Sequence, residues 1–148
     1  MPSTAAALVV DTSVLVKWFK TENEELVEEA LALRDRVDRA RADVYAPALL
    51  LYEIGNILTR KTDLDDEGAS AVLRAITSSG LIVAPPDPAL LVRAARLARA
   101  HDVSFYDAAF VALAVALDCP MVTADRRLAD RTRRLGLVHH LSAARNVP

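Results

Sequence analysis

Short apolar segments alternate with longer stretches of helical periodicity along this chain, and that alternation limits the folds it can adopt. The apolar segments are too short for helices and are bounded by capping residues, glycines and prolines, so we predict strands there. These predicted strands are residues 5–10, 44–46, 81–84, 120–123 and 137–141. Strands separated by helices predict a three-layer α/β/α fold with a central, mostly parallel sheet of about five strands.

The intervening helices are predicted from periodicity and capping residues. Apolar residues recur at helical spacing through 22–42, and the first turn of that helix would hold three glutamates, which the helix dipole favours. Those glutamates are Glu22, Glu24 and Glu25. Pro47 suits the first turn of the next helix, and Ser104 suits the N-cap of a later one. The other predicted helices are 14–19, 48–61, 88–101, 104–117 and 126–134, with one more that begins at 63–67 and ends at Gly80.

Composition excludes several classes of protein. The chain has 148 residues, of which 53% are hydrophobic, as in one globular domain, and we predict a single domain over 1–148. Its single cysteine, Cys119, excludes an intramolecular disulfide framework and is expected to be an inert buried thiol. The histidines lack the spacing of a zinc site. No membrane-spanning stretch or signal peptide is recognisable, which favours the reducing cytoplasm.

Four acidic residues occupy positions where an isolated carboxylate is unfavourable. Asp11 and Asp125 each end an apolar run, while Glu53 and Asp107 each interrupt one. Burying an unpaired carboxylate is costly, so each is expected to be paired or bound to a metal. Because none of them has an obvious basic partner, the four are predicted to share a divalent cation. Aspartates that follow parallel strands would converge on one edge of the sheet.

Three of the four acids also have a purely structural alternative, and the fourth has none. Asp11 and Asp125 precede helices and could simply cap them. Asp107 could form a capping box with Ser104. Glu53 lies well inside its helix, so capping does not explain it.

A magnesium or manganese site fits this donor set best. Carboxylate oxygens suit Mg²⁺ or Mn²⁺, and no thiolate or imidazole accompanies them. Such an ion can lower the pKa of bound water and stabilise charge on a phosphoryl group. Neighbouring hydroxyls and an amide could hold the carboxylates or waters, or could have only local roles. These neighbours are Thr12, Ser13, Asn56 and Thr123.

Positive charge is concentrated toward the C-terminal end. The formal net charge is −2 for the whole chain, whereas residues 93–148 carry 9 basic and 5 acidic residues. Most of these arginines are expected to lie on solvated helix faces. Arg126 and Arg127 directly follow Asp125, so we predict that they contact the phosphates of a nucleic acid.

Four motifs occur along the chain in the order 9–19, 52–56, 104–108 and 122–125. Together they resemble PIN-domain ribonucleases, particularly the VapC-type toxins of toxin–antitoxin pairs. The resemblance implies a Mg²⁺- or Mn²⁺-dependent endoribonuclease. Single-stranded or loop RNA is the expected substrate, because unstacked bases can reach a recessed site. The resemblance also implies a homodimer inhibited by a cognate VapB-type antitoxin. The family's acidic positions fall on Asp11, Glu53, Asp107 and Asp125.

Other functions remain open at this point. Some PIN-fold nucleases process RNA and are not toxins, and a catalytically silent RNA- or protein-binding module could share the fold. A phosphatase of the haloacid dehalogenase type would need a second acid at the position of Ser13. The segment 50–80 is a predicted dimer surface, and Trp18 and Phe19 are candidate anchors for an antitoxin peptide or ordinary core residues.

Overall fold

The computed structural model describes residues 5–147. The strands are β1 (Ala7–Val10), β2 (Asp43–Pro47), β3 (Ile82–Ala84), β4 (Met121–Thr123) and β5 (Val138–His140). The helices are α1 (Thr12–Phe19), α2 (Val27–Ala40), α3 (Leu49–Arg60), α4 (Asp66–Thr77), α5 (Pro88–His101), α6 (Phe105–Leu117) and α7 (Arg126–Arg131). Two short 3-10 helices, Arg133–Leu135 and Leu141–Ala143, flank β5.

All five strands belong to one parallel sheet in the order β3-β2-β1-β4-β5. The chain builds outward from β1 to β2 and β3, then returns to the other side of β1 for β4 and β5. The gap between β1 and β4 is therefore the topological switch point, where open α/β sheets bind ligands at the carboxyl ends of the strands. Val10 is level with Val122 in this pairing, so Asp11 meets Thr123 at that edge.

Apolar burial holds the layers together. β1 and β4 are almost fully buried, as expected for strands covered on both faces. α6 packs against α5 and also lies against β1 and β2, while α1 contacts α2, α3 and β4. Phe110 of α6 and Leu8 of β1 are among the largest fully buried side chains. The predicted three-layer α/β/α fold with about five strands is confirmed.

Several local features predicted from the sequence are confirmed. Ser104 caps α6, because its Oγ accepts a hydrogen bond from the Asp107 N–H at 3.0 Å. Asp65 caps α4 in the same way, and Gly80 adopts a positive φ of 87° just beyond the end of that helix. Such a backbone conformation favours glycine. Cys119 is buried as expected, and burial raises the pKa of its thiol.

The predicted helix at 22–42 was wrong in its first turn. Helix α2 begins at Val27, because Asn23 and Leu26 both take left-handed backbone conformations that a helix cannot include. Glu24 instead pairs with the buried Lys17, with 2.8 Å between Lys17 Nζ and Glu24 Oε2. A buried ammonium group needs such a partner. The acids of the true first turn are Glu28 and Glu29.

Two smaller corrections concern boundaries. Pro47 ends strand β2 and does not enter the next helix, whose N-cap is Ala48. The basic helix predicted at 126–134 is α-helical only to Arg131, and a 3-10 turn carries the chain to Gly136.

Among residues 5–147, no single helix combines the length and apolar character needed to cross a membrane. Helices α5 and α6 meet that criterion only as a pair, and they are bent by 114° relative to each other.

Candidate active site

Asp11 is the buried centre of the site, with 7% of its surface exposed at the end of β1. It precedes α1, but its carboxylate makes no capping hydrogen bond, so the capping alternative is not adopted. Its Oδ2 instead accepts hydrogen bonds from Thr123 Oγ1 at 2.6 Å and Ser13 Oγ at 2.9 Å. Burial raises the pKa of the Asp11 carboxyl and repulsion from Asp107 adds to this, whereas the two hydroxyl bonds oppose it.

The same two hydroxyls connect Asp11 to the segment after β4. Ser13 Oγ accepts a hydrogen bond from the Ala124 N–H, and Thr123 Oγ1 accepts one from the Asp125 N–H, each at 3.0 Å. Each hydroxyl therefore donates to the carboxylate and accepts from the neighbouring backbone. This arrangement fixes the side-chain position of Asp11 at the switch point of the sheet.

Glu53 and Asp107 approach Asp11 from two helices, α3 and α6, and both are half-buried. Glu53 Oε1 accepts a hydrogen bond from Thr12 Oγ1 at 3.0 Å. Burial raises the pKa of the Glu53 carboxyl, and repulsion from Asp11 and Asp107 adds to it. The three acids are therefore close enough to repel one another.

The capping-box alternative for Asp107 is only half present. Its backbone N–H bonds to Ser104, but within the described chain its carboxylate makes no hydrogen bond back to the cap. The acidic side chain of Asp107 is thus not used in closing the helix end.

Asp125 differs from the other three acids. It is exposed, and its Oδ1 accepts a hydrogen bond from the Leu128 N–H at 3.1 Å, which caps α7. The capping alternative is adopted here, and the expectation that all four acids are buried is wrong. Asp125 nevertheless lies at the same sheet edge as Asp11, because its backbone bonds to Thr123.

The remaining predicted site residues are more exposed. The side chain of Asn56 is exposed, and in the part of the chain that is described it makes no hydrogen bond. Arg126 is exposed, with its guanidinium 3.3 Å from His140 Nδ1 and 3.4 Å from Ser142 Oγ. Arg127 is exposed beside it.

The donor chemistry of this centre suits a hard divalent cation. Three mutually repelling carboxylates without thiolate or imidazole neighbours match the ligand preference of Mg²⁺ and Mn²⁺. As the side chains stand, no three acidic, histidine or cysteine groups within residues 5–147 lie close enough together to ligate one ion directly. Mg²⁺ typically retains several waters and takes only one or two carboxylates directly, so this spacing fits an ion held partly through water.

Three residues near the site were not singled out from the sequence. Tyr52 and Lys61 line one hollow together with Glu53, and His140 lies between Arg126 and the backbone of Ala124. Helical spacing from Glu53 through Ile57 could have indicated Lys61. No short-range signal links residue 140 to residue 124, since only the pairing of β4 with β5 brings them together.

Comparison with known proteins shows which family the sequence matches. The family described as PIN domain matches residues 8–134. Ribonuclease VapC1 of Mycobacterium tuberculosis is 41% identical over 87 residues, which are 57% of this chain and 64% of that protein. The match therefore spans just under two thirds of the length of this curated relative.

Solved structures show the same fold. VapBC2 from Rickettsia felis, bound to a DNA fragment from its promoter, aligns with a TM-score of 0.68 and 11% identity, covering 90% of this chain and 98% of that one. VapC20 of M. tuberculosis, described as a Sarcin-Ricin loop cleaving toxin, aligns at 0.64 with 21% identity, covering 83% and 93%. The haloacid dehalogenase alternative is not supported by these matches.

Proposed function

Because the chain belongs to the PIN domain family, we propose that it is a metal-dependent endoribonuclease that cleaves single-stranded or loop RNA. The observation that carries the proposal is the convergence of Asp11, Glu53 and Asp107 at the switch point of the sheet. The identity to a VapC ribonuclease supports this reaction, and it supports the further proposal that the protein is the toxin of a VapBC-type pair.

The proposed cofactor is Mg²⁺ or Mn²⁺, held by Asp11, Glu53, Asp107 and Asp125 directly or through water. When bound, such an ion lowers the pKa of a coordinated water and stabilises negative charge on phosphoryl oxygens. Ordinary carboxylates are weak bases at neutral pH, so activation of water depends chiefly on that ion.

The protein's own groups would position the reactants. Asp11 is kept in place by Ser13 and Thr123, and Thr12 holds one oxygen of Glu53. In the described structure the other oxygen, Glu53 Oε2, makes no hydrogen bond, so it can accept one from the attacking water. The water oxygen bonds to phosphorus and gives up a proton to solvent, while the bond from phosphorus to one ribose oxygen breaks and that leaving oxygen takes up a proton from solvent.

Arg126 and Arg127 are proposed to contact the RNA backbone. Both follow Asp125 at the same sheet edge, and the hydrogen bonds from Arg126 toward His140 and Ser142 restrict its guanidinium. Affinity for RNA should fall as salt rises, because each phosphate contact releases counterions.

The proposed protein partners are a VapB-type antitoxin and a second copy of this chain. A structure described as a toxin–antitoxin complex from Klebsiella pneumoniae shares the fold, which supports the first partner. Trp18 has a structural role, since its indole N–H donates to the Ala30 carbonyl at 2.8 Å. Phe19 borders two surface hollows and is the better candidate anchor.

The segment 50–80 remains the predicted dimer surface, and the cytoplasm remains the proposed compartment.

Cleavage of a defined stem-loop RNA tests the function. We expect products with Mg²⁺ or Mn²⁺, none with EDTA, and none with the Asp107→Asn variant. Asp118→Asn is the matched control, because Asp118 is exposed at the other end of α6 and its left-handed conformation suits asparagine. Equal cleavage in all samples would reveal contamination, and RNA binding without turnover would favour a silent binding module.

A further inference from the structure

A surface hollow beside Glu53 combines the groups that a nucleotide needs. It measures about 330 Å³ and is lined by Tyr52, Glu53, Asn56, Ile57 and Lys61, all from helix α3 or the residue after it. The hollow thus presents an aromatic ring, an amide and an ammonium group next to the acidic centre.

Tyr52 is 78% exposed, the largest exposed fraction among the large hydrophobic side chains of residues 5–147. Exposure of one aromatic ring is ordinary on a protein surface, so it carries little by itself. Its position is more informative, because it precedes Glu53 on the helix and borders the same hollow. Unstacked RNA bases are commonly bound by stacking on such aromatic rings.

Lys61 supplies the positive charge of this hollow. It is exposed and forms no ion pair within the described residues. A lysine after a helix also complements the helix dipole, but Arg60 does so equally and does not line the hollow. Eight residues of helical rise separate Glu53 from Lys61, about 12 Å along the axis. A phosphate bound at Lys61 would therefore be a different phosphate of the RNA strand from the one that is cleaved.

The surface depression extends from this first hollow toward helix α1. A second hollow of about 330 Å³ shares Ile57 and Lys61 with the first and is bordered by Ser13 and Lys20. Ser13 bonds to Asp11, so both hollows flank the acidic centre. Together they form a trough between α1 and α3. Glu24 also lines it and pairs with Lys17 and Lys20, so among the described residues Lys61 is the lysine of the trough that has no ion pair and can meet a phosphate.

We propose that Tyr52 and Lys61 form a nucleotide subsite of the RNA-binding surface, with the base stacked on Tyr52 and a backbone phosphate at Lys61. Asn56 offers a donor and an acceptor to the edge of that base. This inference rests on the proposed ribonuclease function and names where its substrate strand lies. Tyr52, Asn56 and Lys61 lie within the segment 50–80 that is the predicted dimer surface, so this inference assigns the dimer contact to the rest of that segment. The trough itself joins a lysine to an acidic centre and is not uniformly apolar, which suits RNA better than a second copy of the chain.

The subsite is tested with single-stranded RNA carrying 2-aminopurine, whose fluorescence is quenched by stacking. Binding is measured without divalent metal, so that it does not depend on cleavage, and KM and kcat are measured with Mn²⁺. Tyr52→Ala should weaken binding and raise KM about tenfold to a hundredfold, whereas Tyr52→Phe should stay near wild type. Lys61→Ala should lower the salt slope of log K by about 0.7, and the matched control Arg60→Ala should not.

The outcomes separate this inference from the proposed function. A wild-type protein that binds the RNA but does not cleave it would refute the nuclease, while the binding data would still decide on the subsite. Unchanged affinity in Tyr52→Ala, or equal salt slopes in Lys61→Ala and Arg60→Ala, would overturn the subsite. Sedimentation of the same samples measures whether each variant still self-associates. A loss of affinity that accompanies a loss of self-association would assign Tyr52 to a contact between copies and would also overturn it.

Discussion

The Thr123 hydroxyl offers a test of how the buried Asp11 is held. Thr123 is fully buried, and its Oγ1 donates to Asp11 Oδ2 at 2.6 Å while accepting from the Asp125 N–H at 3.0 Å. Replacing it by valine preserves the volume but removes both hydrogen bonds. The change therefore isolates the polar contribution, because no cavity is created.

The size of the effect follows from the two bonds. A hydrogen bond to a charged group contributes about 1.5–3 kcal/mol, and a neutral one about 0.5–1.5 kcal/mol. Thr123→Val should therefore lower the free energy of unfolding by about 2–4 kcal/mol. For a chain of this length each kcal/mol corresponds to roughly 3 °C, so Tm should fall by roughly 6–12 °C.

Thr123→Ser is the matched control. It keeps the hydroxyl and loses one buried methyl group, which costs about 1 kcal/mol. The expected order of stability is wild type, then serine, then valine, as measured by calorimetry and urea unfolding at neutral pH. Hydrophobicity alone predicts the reverse order for the two variants. A valine variant as stable as the serine variant would refute the hydroxyl's role in holding Asp11.

Two further changes probe charge and chain packing. Asp11→Asn should raise Tm at pH 8 but not near pH 3. Burial raises the pKa of Asp11 in the folded protein above its ordinary 3.8. The ionised carboxylate therefore destabilises the fold only as pH rises. Thermal scans across that range check this, and a benefit confined to acid pH would contradict it. Arg36→Met should destabilise by about 1–3 kcal/mol, because the Arg36 guanidinium donates to the carbonyls of Ala144 and Val147. Urea unfolding measures this loss, and an unchanged midpoint would show that these two bonds contribute nothing.

The sequence by itself determined the order of strands and helices, because those depend on periodicity and caps that act over a few residues. It also placed Asp11 at the end of β1 and Asp125 just beyond β4, and parallel strands bring such ends to one edge. The ordered motifs then indicated the PIN family, which the match over 8–134 confirms.

Only the tertiary structure decided which acids are available for chemistry. Asp11 and Asp125 look alike in sequence, each following a strand and preceding a helix, yet one is buried against hydroxyls and the other caps α7. The difference arises from Thr123, which is 112 residues from Asp11 along the chain. Likewise, α2 begins only at Val27, because Asn23 and Leu26 adopt left-handed conformations, and Glu24 between them pairs with Lys17 of α1. Local patterns cannot report such partners, because a side chain's preferred bond depends on groups that only folding brings within reach.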